Sequence, residues 1–231
     1  VDFFPNWVDS NVIFPIENKG PLKKLFNLKP SDKIILYSGA IGEKQGLENI
    51  LLAAKAFTAN EHLKFVICGS GPYLNKLEAL KDTLQLTNVV FMPTQPVEKL
   101  NGLLNMADLH LIIQKANASD LVMPSKLTNI MAVGGVAIVT AAPNTSLYQL
   151  VSNNKVGIIS EPENVNSLTE AITQAINNNT FEISANALFY AKKHFSIGNI
   201  ISTYTQNMLK GPTYSLDKDY QSNKMLHPLK A

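Results

Sequence analysis

The sequence of 231 residues contains no arginine, and all 20 basic residues are lysines. Bidentate arginine contacts to a phosphate, a carboxylate or a guanine base are therefore excluded. An anion bound by this chain has to be held by lysine, by backbone N–H groups or by helix N-termini. The formal net charge is only +2, and the lysines are scattered. This pattern argues against a nucleic-acid-binding protein, which usually carries a dense basic stripe.

Cysteine and long apolar runs are also scarce. Cys68 is the single cysteine, which excludes a disulfide framework and a multi-cysteine zinc site and fits a reducing compartment. The longest weakly polar run, residues 131–142, is too short to span a bilayer, which takes roughly 20 residues. We expect a cytoplasmic protein. The sequence starts at Val1 rather than at Met, and we expect it to be a piece of a longer polypeptide.

A hydrophobic content of 45% excludes disorder and favours a folded α/β chain. Short apolar runs alternate with segments of helical periodicity. Because the apolar runs have no polar face, they indicate a parallel sheet covered by helices on both sides, a Rossmann-like fold. The predicted strands are 33–38, 63–68, 89–92, 108–113, 136–140 and 156–159. The predicted helices are 47–57, 73–84, 97–106, 125–133, 146–151 and 165–177.

The ends of the chain lack this rhythm. We predict four parts: an interdomain connector with a short helix (residues 1–29), a Rossmann-like domain (30–180), C-terminal helices (181–210) and a loosely ordered tail (211–231).

Two glycine-rich loops follow predicted strands, at the edge where parallel sheets bind ligands. The first, residues 38–46, contains Gly39, Gly42 and Lys44, and its backbone N–H groups could approach a phosphate. The second, residues 69–72, contains Gly69 and Gly71 but lacks the third glycine of a dinucleotide fingerprint. Plain tight turns remain the alternative for both loops.

A third loop, with the sequence Pro124-Ser125-Lys126, opens a predicted helix. Ser125 can cap that helix, whose first free N–H groups form an anion site. Lys126 is disfavoured by the helix dipole unless an anion lies beside it, which favours a functional role.

Other chemistry-bearing residues carry weaker signals. The histidines lack metal-ligand spacing, and His110 within a strand predicts a packed core residue. Cys68 is predicted to be a small buried hydrophobe, and Asp120 a loop carboxylate. Phe3, Phe4 and Trp7 form an aromatic cluster that we expect to pack on this domain or on another one.

Five segments together resemble the C-terminal half of a family 4 glycosyltransferase with the two-domain GT-B architecture. They are residues 4–9, 37–46, 69–72, 106–108 and 124–134, and the resemblance covers roughly residues 3–175. The Pro-Ser-Lys sequence is similar to the colanic acid and capsule branch of that family. The resemblance implies that this half binds a nucleotide-sugar donor, whereas an N-terminal domain of the same polypeptide, missing here, binds a lipid-linked saccharide acceptor. The isolated chain is then inactive, and the whole enzyme is peripheral at the inner membrane through the missing domain.

The resemblance also implies site residues, with departures. An arginine often stands at the position of Ala40, and Lys44 is the candidate for the family's lysine. A glutamate often stands at the position of Asn129 and another at that of Leu121, beside which Asp120 is the nearest carboxylate. The implied catalytic residues are Lys44, Lys126 and Asp120. The implied donor-binding residues are Gly39, Gly42, Gly69, Gly71, Met92, Pro124, Ser125, Leu127 and Asn129, with the sugar near residues 117–123.

Mechanistically, the resemblance implies a retaining transfer of a sugar to an exopolysaccharide or capsule precursor, with no metal and no cofactor. Lys44, Lys126 and the helix N-terminus at Ser125 would stabilise the leaving diphosphate. Three alternatives stay open: a GT-B-type sugar epimerase, a non-catalytic nucleotide-sugar-binding or interaction domain, and, as the poorest match, a NAD-dependent dehydrogenase.

Overall fold

A computed structural model describes residues 7–115 and 125–209 of the chain. The strands are β1 (Lys33–Ser38), β2 (Leu63–Cys68), β3 (Val89–Met92), β4 (Leu109–Ile112), β5 (Ala137–Thr140) and β6 (Gly157–Ser160). The helices are α1 (Lys19–Leu25), α2 (Glu48–Lys55), α3 (Leu74–Thr83), α4 (Val97–Met106), α5 (Ser125–Ala132), α6 (Ser146–Asn154), α7 (Val165–Asn177), α8 (Phe181–His194) and α9 (Ile197–Leu209).

The strands form one parallel sheet in the order β3-β2-β1-β4-β5-β6. From β1 the chain winds outward to β3, and it then returns to place β4 on the other side of β1. Because the connections after β1 and β4 run in opposite directions, a crevice opens between them at the carboxyl ends of the strands. The predicted parallel, Rossmann-like sheet is confirmed.

Both faces of the sheet are covered, as the strand composition predicts. Alternate residues of β1 point to opposite faces: Ile35 and Tyr37 join a core with α2, α3 and α7. Ile34 and Leu36 join a core on the other face, which α1 and α4 complete. On that same face, α5, α6 and α8 cover β4 and β5. The crevice therefore has α4 and α5 beneath it.

Local sequence signals set most helix ends. Thr145 accepts a hydrogen bond from the Tyr148 N–H and caps α6, and Asn164 caps α7 through the Ser167 N–H. Gly134, with φ of +66°, ends α5 in the left-handed conformation that glycine adopts at low cost. The predicted bounds of α4 and α7 are confirmed.

The predicted bounds of α2, α3 and α5 differ from the observed ones by one or two residues, and the predicted end of α6 by three. The helix predicted at 146–151 continues to Asn154, because the chain leaves the helix only where Lys155 adopts a left-handed conformation. The C-terminal helices predicted at 181–210 are α8 and α9. Phe195, between them, is buried in the core, and its carbonyl oxygen accepts a hydrogen bond from the Val8 N–H at 2.9 Å. The segment before α1 is thereby attached to the break between α8 and α9.

Trp7 is about half exposed, at 53%, while its predicted partners Phe3 and Phe4 lie outside the described residues. In the two described ranges, none of the helices combines the length and the apolar character that a membrane crossing requires.

Candidate functional site

A cleft of about 450 Å³ lies at the carboxyl edge of the sheet, where the chain reverses its direction of winding. The loops after β1, β2 and β3 form its rim, and α4 and α5 form its walls. Its described lining residues are Ser38, Gly39, Ala40, Cys68, Gly69, Ser70, Thr94, Gln95, Leu100, Leu103, Leu104, Lys126 and Asn129. None of them is acidic. Four of the predicted site residues (Gly39, Gly69, Lys126 and Asn129) are therefore brought together here.

The first two glycine-rich loops pack against each other through their backbones. The Gly39 N–H donates to the Cys68 carbonyl, and the Ile41 N–H donates to the Ser70 carbonyl, both at 2.9 Å. A Cβ at Gly69 would overlap the Gly39 carbonyl oxygen, and one at Gly71 would overlap the Ile41 carbonyl oxygen. Close loop packing therefore requires glycine at both positions, and their donor-binding roles stay predictions.

Lys126 reaches from the first turn of α5 to the end of β1. Its Nζ atom lies 3.2 Å from the Tyr37 hydroxyl oxygen and 4.5 Å from the centre of the Tyr37 ring, a cation–π geometry. The end of the side chain also lies against Gly39, where an added Cβ would overlap it. Tyr37 packs on the α2 side of the sheet and α5 on the other, so Lys126 passes over the carboxyl edge of the sheet.

Tyr37 is a rigid partner for this lysine. Its side chain is 1% exposed, and its hydroxyl donates a hydrogen bond to the Ala40 carbonyl oxygen at 2.7 Å. Burial raises the pKa of Tyr37. The hydroxyl therefore keeps its proton, which it donates to the Ala40 carbonyl oxygen. Its oxygen accepts a hydrogen bond from the Lys126 ammonium.

Within residues 7–115 and 125–209, no carboxylate forms an ion pair with Lys126. Partial burial lowers the pKa of Lys126, and no acidic group of the described residues offsets that effect. A half-buried ammonium without a counter-ion carries a desolvation cost, which a bound anion offsets. The site is chemically suited to a phosphate.

The start of α5 adds to this anion-binding character. Ser125 is the first residue of the helix, so free N–H groups of the first turn lie beside Lys126. Asn129, one turn further, is half-buried and lines the cleft with a neutral amide. Leu127 is fully buried in the core, so its side chain does not reach the cleft.

The other predicted site residues are placed differently. Lys44 is exposed on a short 3-10 turn, Glu43–Gln45, which Gly42 precedes, and Lys44 does not line the cleft. Met92 ends β3, and its carbonyl accepts a hydrogen bond from the Gly69 N–H. Asp120, Pro124 and the sugar-binding region predicted at 117–123 lie outside the described residues. The catalytic and donor-binding roles assigned to all these residues stay predictions.

The sequence analysis overlooked Tyr37 and Gln95, whereas the resemblance implies that the loop around Met92 to Thr94 faces the nucleotide base through backbone groups. The Thr94 hydroxyl donates to the Ser70 hydroxyl at 3.1 Å, which joins the second loop to the third strand end. Gln95 lies three residues after the end of β3, a position that in principle marked it as a rim residue. In the sequence, Tyr37 has the pattern of an ordinary strand residue. Only its contact with Lys126 across the sheet edge shows that it belongs to the site.

Two weaker candidates are core residues, as predicted. Cys68 is buried, its thiol donates to the Pro93 carbonyl, and burial raises its pKa, which makes it a poor nucleophile. His110 is 1% exposed, and burial lowers its pKa to about 3. In the part of the chain that the structure describes, no His, Cys, Asp and Glu side chains are grouped as a metal site requires.

Comparison with known proteins gives a consistent match. The family model of the glycosyl transferases group 1 matches residues 19–194. WcaI of Escherichia coli (strain K12), whose name assigns it to the glycosyl transferases of colanic acid biosynthesis, is 43% identical over 179 residues. That alignment covers 76% of this chain and 44% of WcaI. The chain thus spans less than half the length of this relative.

Solved structures share the fold at low identity. HepE of Anabaena, solved in complex with UDP, matches 88% of this chain and 56% of its own, with a TM-score of 0.77 and 15% identity. Sucrose-phosphate synthase of Thermosynechococcus elongatus matches 90% of this chain and 51% of its own, with a TM-score of 0.72 and 18% identity. Both identities are so low that these matches show the fold alone.

Proposed function

Because the chain belongs to the group 1 glycosyltransferase family, we propose that it is the donor-binding half of an enzyme that transfers a sugar from a nucleoside diphosphate to a saccharide. The acceptor is the precursor of a bacterial exopolysaccharide or capsule, in line with the name of the relative WcaI. The donor's diphosphate binds at the carboxyl edge of the sheet.

The observation that carries this proposal is the environment of Lys126. The half-buried Lys126 places its ammonium at the turn after β1, beside the N-terminus of α5, and no carboxylate in the described ranges pairs with it. A diphosphate supplies the missing negative charge, and the N–H groups of α5 supply hydrogen bonds. The UDP complex of HepE, a protein of the same fold, supports a nucleoside diphosphate as the ligand.

The proposed chemistry follows from that charge. During transfer, the bond between the sugar C1 and the diphosphate oxygen breaks, and a bond from an acceptor hydroxyl oxygen to C1 forms on the same face. The hydroxyl proton passes to the departing phosphate oxygen. Lys126 and the N-terminus of α5 stabilise the charge on that oxygen without a metal. Lys44 is the second candidate cation, and Asp120 the candidate carboxylate.

The name of the relative WcaI supports transfer over epimerisation. The acceptor is a lipid-linked saccharide bound by a second domain, which would account for the greater length of WcaI. Alone, the chain then binds the donor and does not turn it over.

Calorimetric titration of the chain with UDP, GDP, ADP and NAD tests the proposal. We expect one of the three nucleoside diphosphates to bind and to displace inorganic pyrophosphate. Binding of NAD alone, or of none of the diphosphates, would contradict it. Retention of configuration is tested by NMR of the product that the longest polypeptide containing this chain forms. The anomeric configuration of the transferred sugar must match that of the donor.

A further inference from the structure

Tyr37 is fixed before any ligand arrives. It is the penultimate residue of β1, in register with Ile67 of β2, and its ring is packed in the core beneath α2 and α7. The ring therefore has no other position to occupy. A lysine side chain, by contrast, has four rotatable bonds and a compact charge that points wherever water allows.

The hydroxyl of Tyr37 has a defined polarity. Its single proton is used in the bond to the Ala40 carbonyl, so towards Lys126 the oxygen acts as an acceptor. The ring face lies under the same ammonium. Two parts of one side chain, the face and the oxygen, thus hold Lys126 against Gly39, where the turn after β1 leaves room for it.

We propose that Tyr37 is a positioning residue that holds the Lys126 ammonium in its phosphate-binding position. A lysine held in one position thereby replaces part of the directional hydrogen bonding that an arginine provides. The chain contains no arginine. The bond to Ala40 extends this control to the turn after β1, so that the turn and the lysine are set together. This inference rests on the proposed function, since it takes the diphosphate to be the ligand of Lys126.

Substitutions separate the two parts of the side chain. Tyr37→Phe keeps the ring and removes the oxygen, and we expect it to weaken binding of pyrophosphate and UDP about threefold to tenfold. Tyr37→Leu removes both, and we expect a larger loss. Tyr190→Phe is the matched control. Tyr190 stacks on His194 in α8, away from the cleft, and we expect removal of its hydroxyl to leave binding unchanged.

A double-mutant cycle distinguishes positioning from general damage to the fold. In the Lys126→Met background, Tyr37→Phe should weaken pyrophosphate binding no further, because the group that Tyr37 holds is gone. Equal losses in both backgrounds would overturn the proposal. The Phe variant conserves the packed ring, so the cycle remains interpretable even when the Leu variant does not fold.

The contact itself has a spectroscopic signature. In the unliganded protein, the Lys126 ε-methylene protons should show an upfield ring-current shift, retained in Tyr37→Phe and lost in Tyr37→Leu. If the wild type binds none of the diphosphates, the proposed function fails. If it binds them and Tyr37→Phe binds equally well, the proposed function stands and the role of Tyr37 is overturned.

Discussion

Two lysines at opposite edges of the same sheet, Lys23 buried and Lys126 half-buried, have opposite environments. At the amino edge, Lys23 is 5% exposed, donates to the Asp32 carbonyl at 2.5 Å and forms an ion pair with Asp108 at 2.9 Å. At the carboxyl edge, Lys126 has the hydroxyl and the ring of Tyr37, and no acidic partner in the described ranges. The first lysine is neutralised by its own chain, and we propose that a bound anion neutralises the second.

The difference teaches how to tell a structural lysine from a functional one. Asp108 also accepts a hydrogen bond from the Ile34 N–H, so the ion pair closes the gap between α1 and the starts of β1 and β4. Nothing further is needed to satisfy Lys23. Lys126 lies beside a helix N-terminus that also favours negative charge, so a bound anion would stabilise its ammonium.

The largest expected effect is that of Lys126→Met on ligand binding. We expect pyrophosphate and UDP affinity to fall about 10-fold to 100-fold, and turnover by the longest polypeptide that contains the chain to fall by about 10²–10³. The free energy of unfolding should stay constant or rise, because the substitution removes a half-buried charge that has no acidic partner in the described ranges. Lys55→Met, at an exposed position in α2, is the control. Unchanged binding in Lys126→Met would remove this lysine from the site.

Replacing the lysine at the amino edge by methionine should lower stability and leave ligand binding unchanged. Lys23→Met should lower the free energy of unfolding, measured in urea, by about 2–3 kcal/mol, less than for a fully buried pair because Asp108 is 32% exposed. Pyrophosphate affinity should not change. Lys24→Met, at the exposed neighbouring position of α1, is the matched control. A loss of affinity without a loss of stability would contradict the structural role of Lys23.

His110 gives a pH test at the amino edge. With a pKa lowered to about 3, it stays neutral in the folded chain while the unfolded chain takes up a proton near pH 6.5. Acid therefore favours unfolding, although Lys19 and Asp108 act on His110 in opposite directions. Between pH 6 and pH 5, the wild type should lose about 1 kcal/mol more stability than His110→Gln. Parallel stability curves for the two proteins would show that His110 does not titrate on unfolding.

The smallest effect is a gain at the carboxyl edge. Ala40 is exposed on the rim of the cleft, where the family resemblance places an arginine. Ala40→Arg should tighten pyrophosphate binding about threefold, through a bidentate contact that adds to Lys126. Ala56→Arg, at an exposed position after α2, controls for the added charge. An equal gain in pyrophosphate affinity in both variants would indicate general electrostatic attraction rather than a specific bidentate contact.

Much of the fold could be predicted from the sequence because it depends on local periodicity. The strands are apolar on both faces and short, and the helices between them carry one apolar stripe, so a parallel sheet follows from the alternation alone. The end of α6 could not be predicted, since it depends on the left-handed conformation of Lys155.

The site could be predicted only in outline. Strand-end glycines and Lys126 marked the edge of the sheet at which the cleft lies. The contact between Lys126 and Tyr37, however, joins residues 89 positions apart and passes over the sheet, so no local pattern records it. For Lys44, sequence spacing places it in the correct loop but cannot show that the 3-10 turn leaves its side chain in solvent.

The close packing of the first two glycine-rich loops has a consequence for engineering. Carbonyl oxygens of one loop occupy the space that side chains at Gly69 and Gly71 would need. A chimaera that exchanges residues 38–46 for those of a relative therefore has to exchange residues 69–72 with them. The two segments are a single cassette, although 22 residues separate them in the sequence.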